Sequence, residues 1–358
     1  MRAKCIAPTG ANATRYKEPQ AYREGLYDLG QDLFAWMVPN GSWGEANAGL
    51  VTGRGESLLI DTLWDVPKTS NMLEAMSPVL ERAPLAACVN THADGDHFWG
   101  NQLLGDIDTV TSERARTEMN HHKPASLLAF ERLGRVLARL PGKKTRAAGR
   151  YFKAMCAPYD FASVTHTPAA RSFTGTLELS VGGREVRLIE VGPAHTQGDL
   201  IVHVADAKAL FAADILFIDC TPVMWAGPVA NWLKALDLIL DLDVTTIVPG
   251  HGPITDKDGV KQVRDYWDFT AQAAKKQFDA GTNATAAAHA IVASADFANK
   301  PFAAWDSPER MMTNVHMLYR EFAGQTAPLG VPAKVNLMRK QAVLAHSLRD
   351  ASPVVMHG

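Results

Sequence analysis

The chain is poor in cysteine, with four in 358 residues. They stand far apart, at Cys5, Cys88, Cys156 and Cys220, and form no Cys-x-x-Cys pair. That excludes a disulfide framework and a thiolate zinc knuckle, and leaves buried or idle thiols. Positive charge is not in surplus either. Lys and Arg total 36 against 38 Asp and Glu, for a net charge of −2 and a pI of about 6.6. No broad basic surface exists for nucleic acid, so none is expected as a partner. No segment approaches about 18 unbroken apolar residues, and residues 1–10 hold no apolar run of signal-peptide length. A cytoplasmic protein with no membrane partner is expected. Repeats and low-complexity tracts are absent, and so is a Gly-x-Ser-x-Gly elbow for a serine nucleophile. Apolar residues are plentiful at 47%, enough for the core of one large domain or two.

Hydropathy patterning sets an order of elements. Residues 1–24 are polar with little periodicity and read as an irregular arm. Residues 33–38 read as a strand, followed by a turn-rich loop at 39–44. Residues 47–52 and 57–61 flank Gly53-Arg54-Gly55 and read as a hairpin ending in Asp61. That acid is either a group supporting a site or a cap for the segment after it. A helix is expected over 68–82, then a buried strand over 85–89 and another over 107–111. Between 112 and 160 the spacing turns helical, broken at Pro141-Gly142. His121 and His122 in this insertion read as solvated surface, with a place in a lid over a site as the alternative. Strands come next at 177–181, 185–191, 200–204 and 209–213, then a helix at 232–240 and a strand at 245–248. From residue 260 the chain is mostly helical. Two β-rich halves folded against each other with helices outside are predicted.

The richest stretch is 90–101, where His92, Asp94, Asp96 and His97 crowd six positions. In an extended or looping backbone, positions two apart point the same way. Gly95 lets the chain bend so that His97 can join the others. All four are able to ligate a divalent ion, directly after an apolar strand, where α/β folds place their sites. Three more candidates come after strands: His195 in a tight turn, Asp214 at the end of the 209–213 strand, and His251 between two glycines. Four His and three Asp suffice for two metals with one shared carboxylate. The other histidines (His166, His203, His289, His316, His346, His357) lack ligand-spaced neighbours and read as structural. Trp43, Trp64, Phe98, Trp99, Met224 and Trp225 lie in or beside these loops and suggest an apolar pocket mouth.

Taken together, His92-x-Asp94-x-Asp96-His97, Gly192-x-x-His195-Thr196-x-Gly198-Asp199, Asp214 and Gly250-His251-Gly252 resemble the metallo-β-lactamase superfamily. The Asp61 strand end fits as well. The resemblance covers residues 25–270. It implies an α/β protein with an αββα sandwich, and leaves 271–358 as a helical C-terminal extension able to cover the site or mediate homo-oligomer pairing. It also implies one metal held by His92, Asp94 and His195, a second by Asp96, His97 and His251, and Asp214 bridging the two. One departure stands out: the family usually has His where this chain has Asp94. Two divalent ions with three carboxylates carry a net charge of +1, against +2 with His at 94. Such a site should acidify its water less than a typical zinc site, where the pKa is about 7. The harder oxygen ligand also moves preference toward Fe or Mn, with Zn still the leading expectation.

The resemblance implies a hydrolase in which a metal-bound hydroxide, oriented by the catalytic Asp96, cleaves an ester, lactone, amide or β-lactam, or thioester bond of a small, largely apolar substrate. Two alternatives stand beside it. Asp94 resembles the di-iron branch of the fold, which implies an oxidoreductase, although no appended flavin-binding domain is read in these residues. The other is a metal-binding interaction protein without catalysis, against which every ligand position holds a competent residue.

Overall fold

The computed structural model describes residues 3–41 and 43–348. His357 and Ser42 of the 39–44 loop lie outside the described residues. The chain opens with β1 (Lys4–Pro8), β2 (Gly25–Gly30), β3 (Leu33–Met37), β4 (Ala48–Thr52) and β5 (Ser57–Ile60). These pair antiparallel in sequence order. Helix α1 (Val66–Leu80) then crosses over to β6 (Leu85–Val89), and β7 (Asp108–Ser112) and β8 (Arg171–Phe173) extend the sheet in parallel. Between β7 and β8 the chain leaves the sheet as α2 (Glu113–Met119), α3 (Pro124–Leu137) and α4 (Lys143–Cys156). A second sheet holds β9 (Thr176–Val181), β10 (Arg184–Glu190), β11 (Leu200–Val204), β12 (Ala209–Phe217) and β13 (Thr246–His251). Its pairs are antiparallel except β12 with β13, which are joined through α5 (Val229–Asp241).

Side-chain alternation along the strands builds the layers. In β3, Leu33, Ala35 and Met37 point between the sheets, where they meet Val186, Leu188, Val202 and Phe211. Phe34 and Trp36 point the other way and pack with Met72, Met76 and Val79. Those three recur at helical spacing on one face of α1, which Asp65 caps by accepting from the Lys68 amide at 2.8 Å. On the far side, Leu210 and Ala212 of β12 meet Trp232, Leu236 and Ile239 of α5. The result is the αββα order expected from sequence.

The rest of the chain adds to the second helical layer. It comprises α6 (Lys257–Asp279), α7 (Ala284–Val292), α8 (Ala295–Ala298), α9 (Met311–Phe322) and α10 (Val331–Ser347). Helix α6 runs unbroken across residue 270, and Val263, Trp267, Ile291, Val315 and Leu318 share one core with α5. These helices turn their apolar faces into the chain's own core. Among the described residues, Val331 is the large hydrophobic side chain they leave exposed. Part of the expected irregular arm is instead ordered: β1 caps the edge of the first sheet against β2. Its burial alternates between exposed and half-buried, and an edge strand with one wet face gives little apolar signal in sequence. The four cysteines are free, and burial pushes the Cys156 thiol up to about 12.

Candidate metal centre

Each site residue sits in a strand or in the loop that follows one. β6 feeds the 90–97 loop, the turn from β10 to β11 carries His195, β12 carries Asp214, and β13 ends on His251. His92, His97, His195, Asp214 and His251 are buried, Asp96 nearly so, and Asp94 is partly open. All seven side chains expected to ligate come together. His195 Nε2 lies 3.1 Å from Asp94 Oδ2 and 3.3 Å from Asp214 Oδ2. His92 Nε2 is 3.8 Å from Asp214 Oδ2. On the other side, His97 Nε2 is 3.3 Å from Asp214 Oδ1 and 3.9 Å from Asp96 Oδ2. His251 Nε2 stands 3.3 Å from Asp214 Oδ2 and 3.7 Å from Asp96 Oδ2. Asp214 thus lies close to all four histidines, and three overlapping donor groups form: His92, Asp94 and His195; His92, His97 and Asp214; and Asp96, His97 and His251.

The outer ring nitrogen of every histidine is spoken for, which aims the inner one. His195 Nδ1 donates to the Val223 carbonyl at 2.6 Å and His251 Nδ1 to the Glu45 carbonyl at 3.0 Å. His97 Nδ1 donates to Asp61 Oδ2 at 2.9 Å. Asp61 also accepts from the Thr91 amide and hydroxyl, both at 2.7 Å. With its proton committed to Asp61, the Thr91 hydroxyl can only accept from His92 Nδ1, at 3.0 Å. All four Nε2 atoms are thereby aimed at a carboxylate-rich centre, and each offers a lone pair there once its ring is neutral. Asp61 is thereby a supporting group, the first of the two roles open to it in sequence.

The backbone is shaped to the same end. Asp61 and Ala213 hold positive φ, 65° and 45°, which costs about 1–3 kcal/mol each and sets the strand ends. A Cβ at Gly250 would stand 1.9 Å from Asp214 Oδ1, so only glycine lets β13 pass. Asp199 locks the His195 turn by accepting from the Ala194 and Thr196 amides at 3.1 Å.

The electrostatics of the side chains alone show what the centre wants. Burial would raise Asp214, but His251, His97, His92 and His195 outweigh it and hold its carboxyl well below the usual range. Burial would lower His195, yet Asp214 and Asp94 push it up to about 9. His97 rises likewise, with Asp214 and Asp61 overcoming burial. His92, dominated by burial, is pushed down. The cluster attracts positive charge. At the same time His92 Nε2, His97 Nε2 and Asp214 Oδ1 are buried with no hydrogen-bond partner. Orphaned buried polar atoms are rare in folded proteins, and here they converge. Four nitrogen and three carboxylate donors in three overlapping groups fit divalent metal ions.

A cavity of about 850 Å³ opens over Asp94, Asp96, His195, Asp214 and His251. Trp43, Trp64, Trp99 and Trp225 line it, as expected. Phe98 and Met224 do not: both are fully buried in the cores behind. An alternating or loop pattern cannot tell a ring facing a pocket from one facing a core. His121 and His122 also line the cavity, and His122 Nδ1 lies 3.7 Å from Asp94 Oδ1. His121 is exposed at the cavity rim, as the solvated-surface reading expects, whereas half-buried His122 takes the alternative place above the site, because α2 and α3 fold over it. Arg310 went unnoticed in sequence. It is 1% exposed, lies against the Trp43 and Phe217 rings and reaches the cavity. No local pattern around it could have signalled this.

Comparison with known proteins agrees with the geometry. The chain is 24% identical over 233 residues to the 2,4-dinitroanisole O-demethylase subunit alpha of Nocardioides sp., covering 63% of this chain and 58% of that one. Over 89 residues it is 34% identical to the beta-lactamase-like protein 2 homolog of Caenorhabditis elegans, covering 25% and 29%. The matches thus span less than two thirds of either relative. Among solved structures, the sec-alkylsulfatase Pisa1 from Pseudomonas sp. superposes with a TM-score of 0.61 at 16% identity, covering 92% of this chain and 60% of that one. At that identity the likeness is one of fold. Residues 41–251 match the model of the metallo-beta-lactamase superfamily, and the chain belongs to that superfamily.

Proposed function

We propose that the protein is a dinuclear metal-dependent hydrolase acting on an ester, lactone, amide or β-lactam, or thioester bond in a small, largely apolar molecule. The observation that carries this reading is the convergence of His92 Nε2, His97 Nε2 and Asp214 Oδ1, buried and unpartnered, inside a ring of further donors. In this reading His92, Asp94 and His195 hold one ion, Asp96, His97 and His251 the other, and Asp214 both, with Zn leading and Fe or Mn the alternatives. Bound ions supply Lewis acidity and acidified water. The chain's own residues do the rest. Asp96 orients the attacking water and takes its proton, and burial favours its protonated form. Thr91 and Asp61 fix the ring planes of His92 and His97 so that the donors need no reorganisation. The tryptophan walls exclude water and hold the apolar part of the substrate.

The names of two relatives point to an aryl ether and a sulfate ester, and so do not choose among bonds. A second reading, a di-iron oxidoreductase, is favoured by one feature, the carboxylate of Asp94 in the first ligand group. Metal analysis with a hydrolase panel and an oxygen electrode separates the two. Hydrolysis by the metal-loaded protein, lost in Asp214→Asn and His251→Ala, supports the first. Tightly bound iron with oxygen uptake and no hydrolysis overturns it in favour of the second.

A further inference from the structure

Helix α10 presents one stripe to the cavity: Val331, Lys334, Val335 and Met338. These positions recur at three- and four-residue spacing, the signature of a single helix face. The stripe runs from the rim to the interior, since Val331 is 70% exposed and Met338 7%. Lys334 is its one charged member. Its ammonium lies 5.8 Å from the centroid of the Trp225 ring, and the Trp225 amide donates to the His195 carbonyl at 2.9 Å. Lys334 thus lines the same cavity as Asp94, Asp96, His195, Asp214 and His251. Among the described residues no carboxylate lies within ion-pair distance of it.

The two glutamates that share the cavity are already engaged. Glu118 accepts from the Gln197 amide at 3.1 Å, and Glu113 accepts from the Ser172 hydroxyl. The first turn of α10 adds no negative charge either, and its cap, Gly330, offers no side-chain acceptor. Gly330 lines the cavity too, so the positive end of a 17-residue helix faces the same space. A half-buried cation on an otherwise apolar wall, backed by a helix N-terminus, complements an anion tethered to an apolar body.

We infer that Lys334 is a specificity residue which recognises an anionic group on an otherwise apolar substrate, seating it against Trp225 while the scissile bond reaches the metal centre. This deepens the hydrolase reading and rests on it for the word substrate, but the binding preference stands apart from turnover. The anion is a carboxylate, sulfonate or sulfate carried on an alkyl or aryl group, and the reacting bond lies elsewhere in the molecule.

The test is calorimetric titration of the metal-loaded full chain with 1-octanesulfonate and 1-octanol. Sulfonate is a poor metal ligand, so its preference reports the cavity wall. The wild type is expected to bind the sulfonate about tenfold more tightly than the alcohol, the lower range for a charged hydrogen bond. Lys334→Met should abolish that preference, Lys334→Arg should keep it, and raised salt should shrink it. Near-ultraviolet circular dichroism confirms that each variant is folded. Equal binding of the two ligands by wild type, or an unchanged preference in Lys334→Met, overturns the inference. Loss of hydrolysis across the panel with the preference intact would instead count against the hydrolase reading alone.

Discussion

Asp214 is the residue on which the site turns. It lies within 3.3–3.8 Å of all four histidine Nε2 atoms, and protons held by His97 and His195 balance it when no metal competes. That competition has a definite sign. With a pKa of about 9, His195 is protonated at neutral pH in the metal-free protein and must lose that proton to ligate. Metal affinity should therefore climb as pH rises toward 9 and fall as pH drops. Calorimetry in buffers of differing ionisation enthalpy should show proton release on metal binding at pH 7. Asp61 belongs to the same scale. It touches no ion in this account, yet it receives three hydrogen bonds that set two histidine rings. Asp61→Ala should weaken metal binding by roughly 10–100-fold, as loss of a group supporting a ligand usually does. Competition with a chromophoric chelator measures it.

At the scale of elements, what matters is how closely strand ends approach one another. β12 and β13 run parallel, and Gly250 passes so near Asp214 that a methyl group would collide with its carboxylate. Gly250→Ala should leave the far-ultraviolet circular dichroism spectrum unchanged but lose metal stoichiometry, measured by atomic emission after dialysis. The ligands themselves were legible in sequence because each His or Asp follows an apolar run, with glycine beside Asp94, Asp96 and His251. β3, β11 and β12 were legible because, buried on both faces, they read as continuous apolar segments, whereas β2 and β8 went unread. β1 escaped because an edge strand has one wet face. His122 escaped because its role depends on where α2 and α3 fold, which no local spacing encodes. Phe98 and Met224 show the converse error, since closeness to a ligand in sequence does not make a side chain face the pocket.

Across the whole molecule, Tyr151 ties the distant segments together. Its hydroxyl accepts from Trp43 Nε1 at 2.9 Å and Gln341 Nε2 at 2.8 Å, and donates to Glu309 Oε1 at 3.0 Å. A loop of the sandwich, α4, the turn before α9 and α10 thus meet at one buried oxygen beside the cavity. Burial pushes Glu309 up to about 7 against the opposing charge of Arg310. Tyr151→Phe would strand these groups and should cost about 1–3 kcal/mol. Urea denaturation should show the loss with little change in slope, and the cavity wall at Trp43 should loosen, raising KM more than it lowers kcat. A single bond of this network spans 190 residues, which is why nothing in the sequence announced it.

The most direct test is anomalous diffraction from crystals of the metal-loaded protein, collected at the Zn, Fe and Mn edges. The account predicts two peaks. One should lie about 2.0–2.3 Å from ligand atoms of His92, Asp94 and His195, the other equally close to Asp96, His97 and His251, with an Asp214 oxygen near both. A single peak, or a pair that leaves Asp94 or Asp214 uncoordinated, would contradict it.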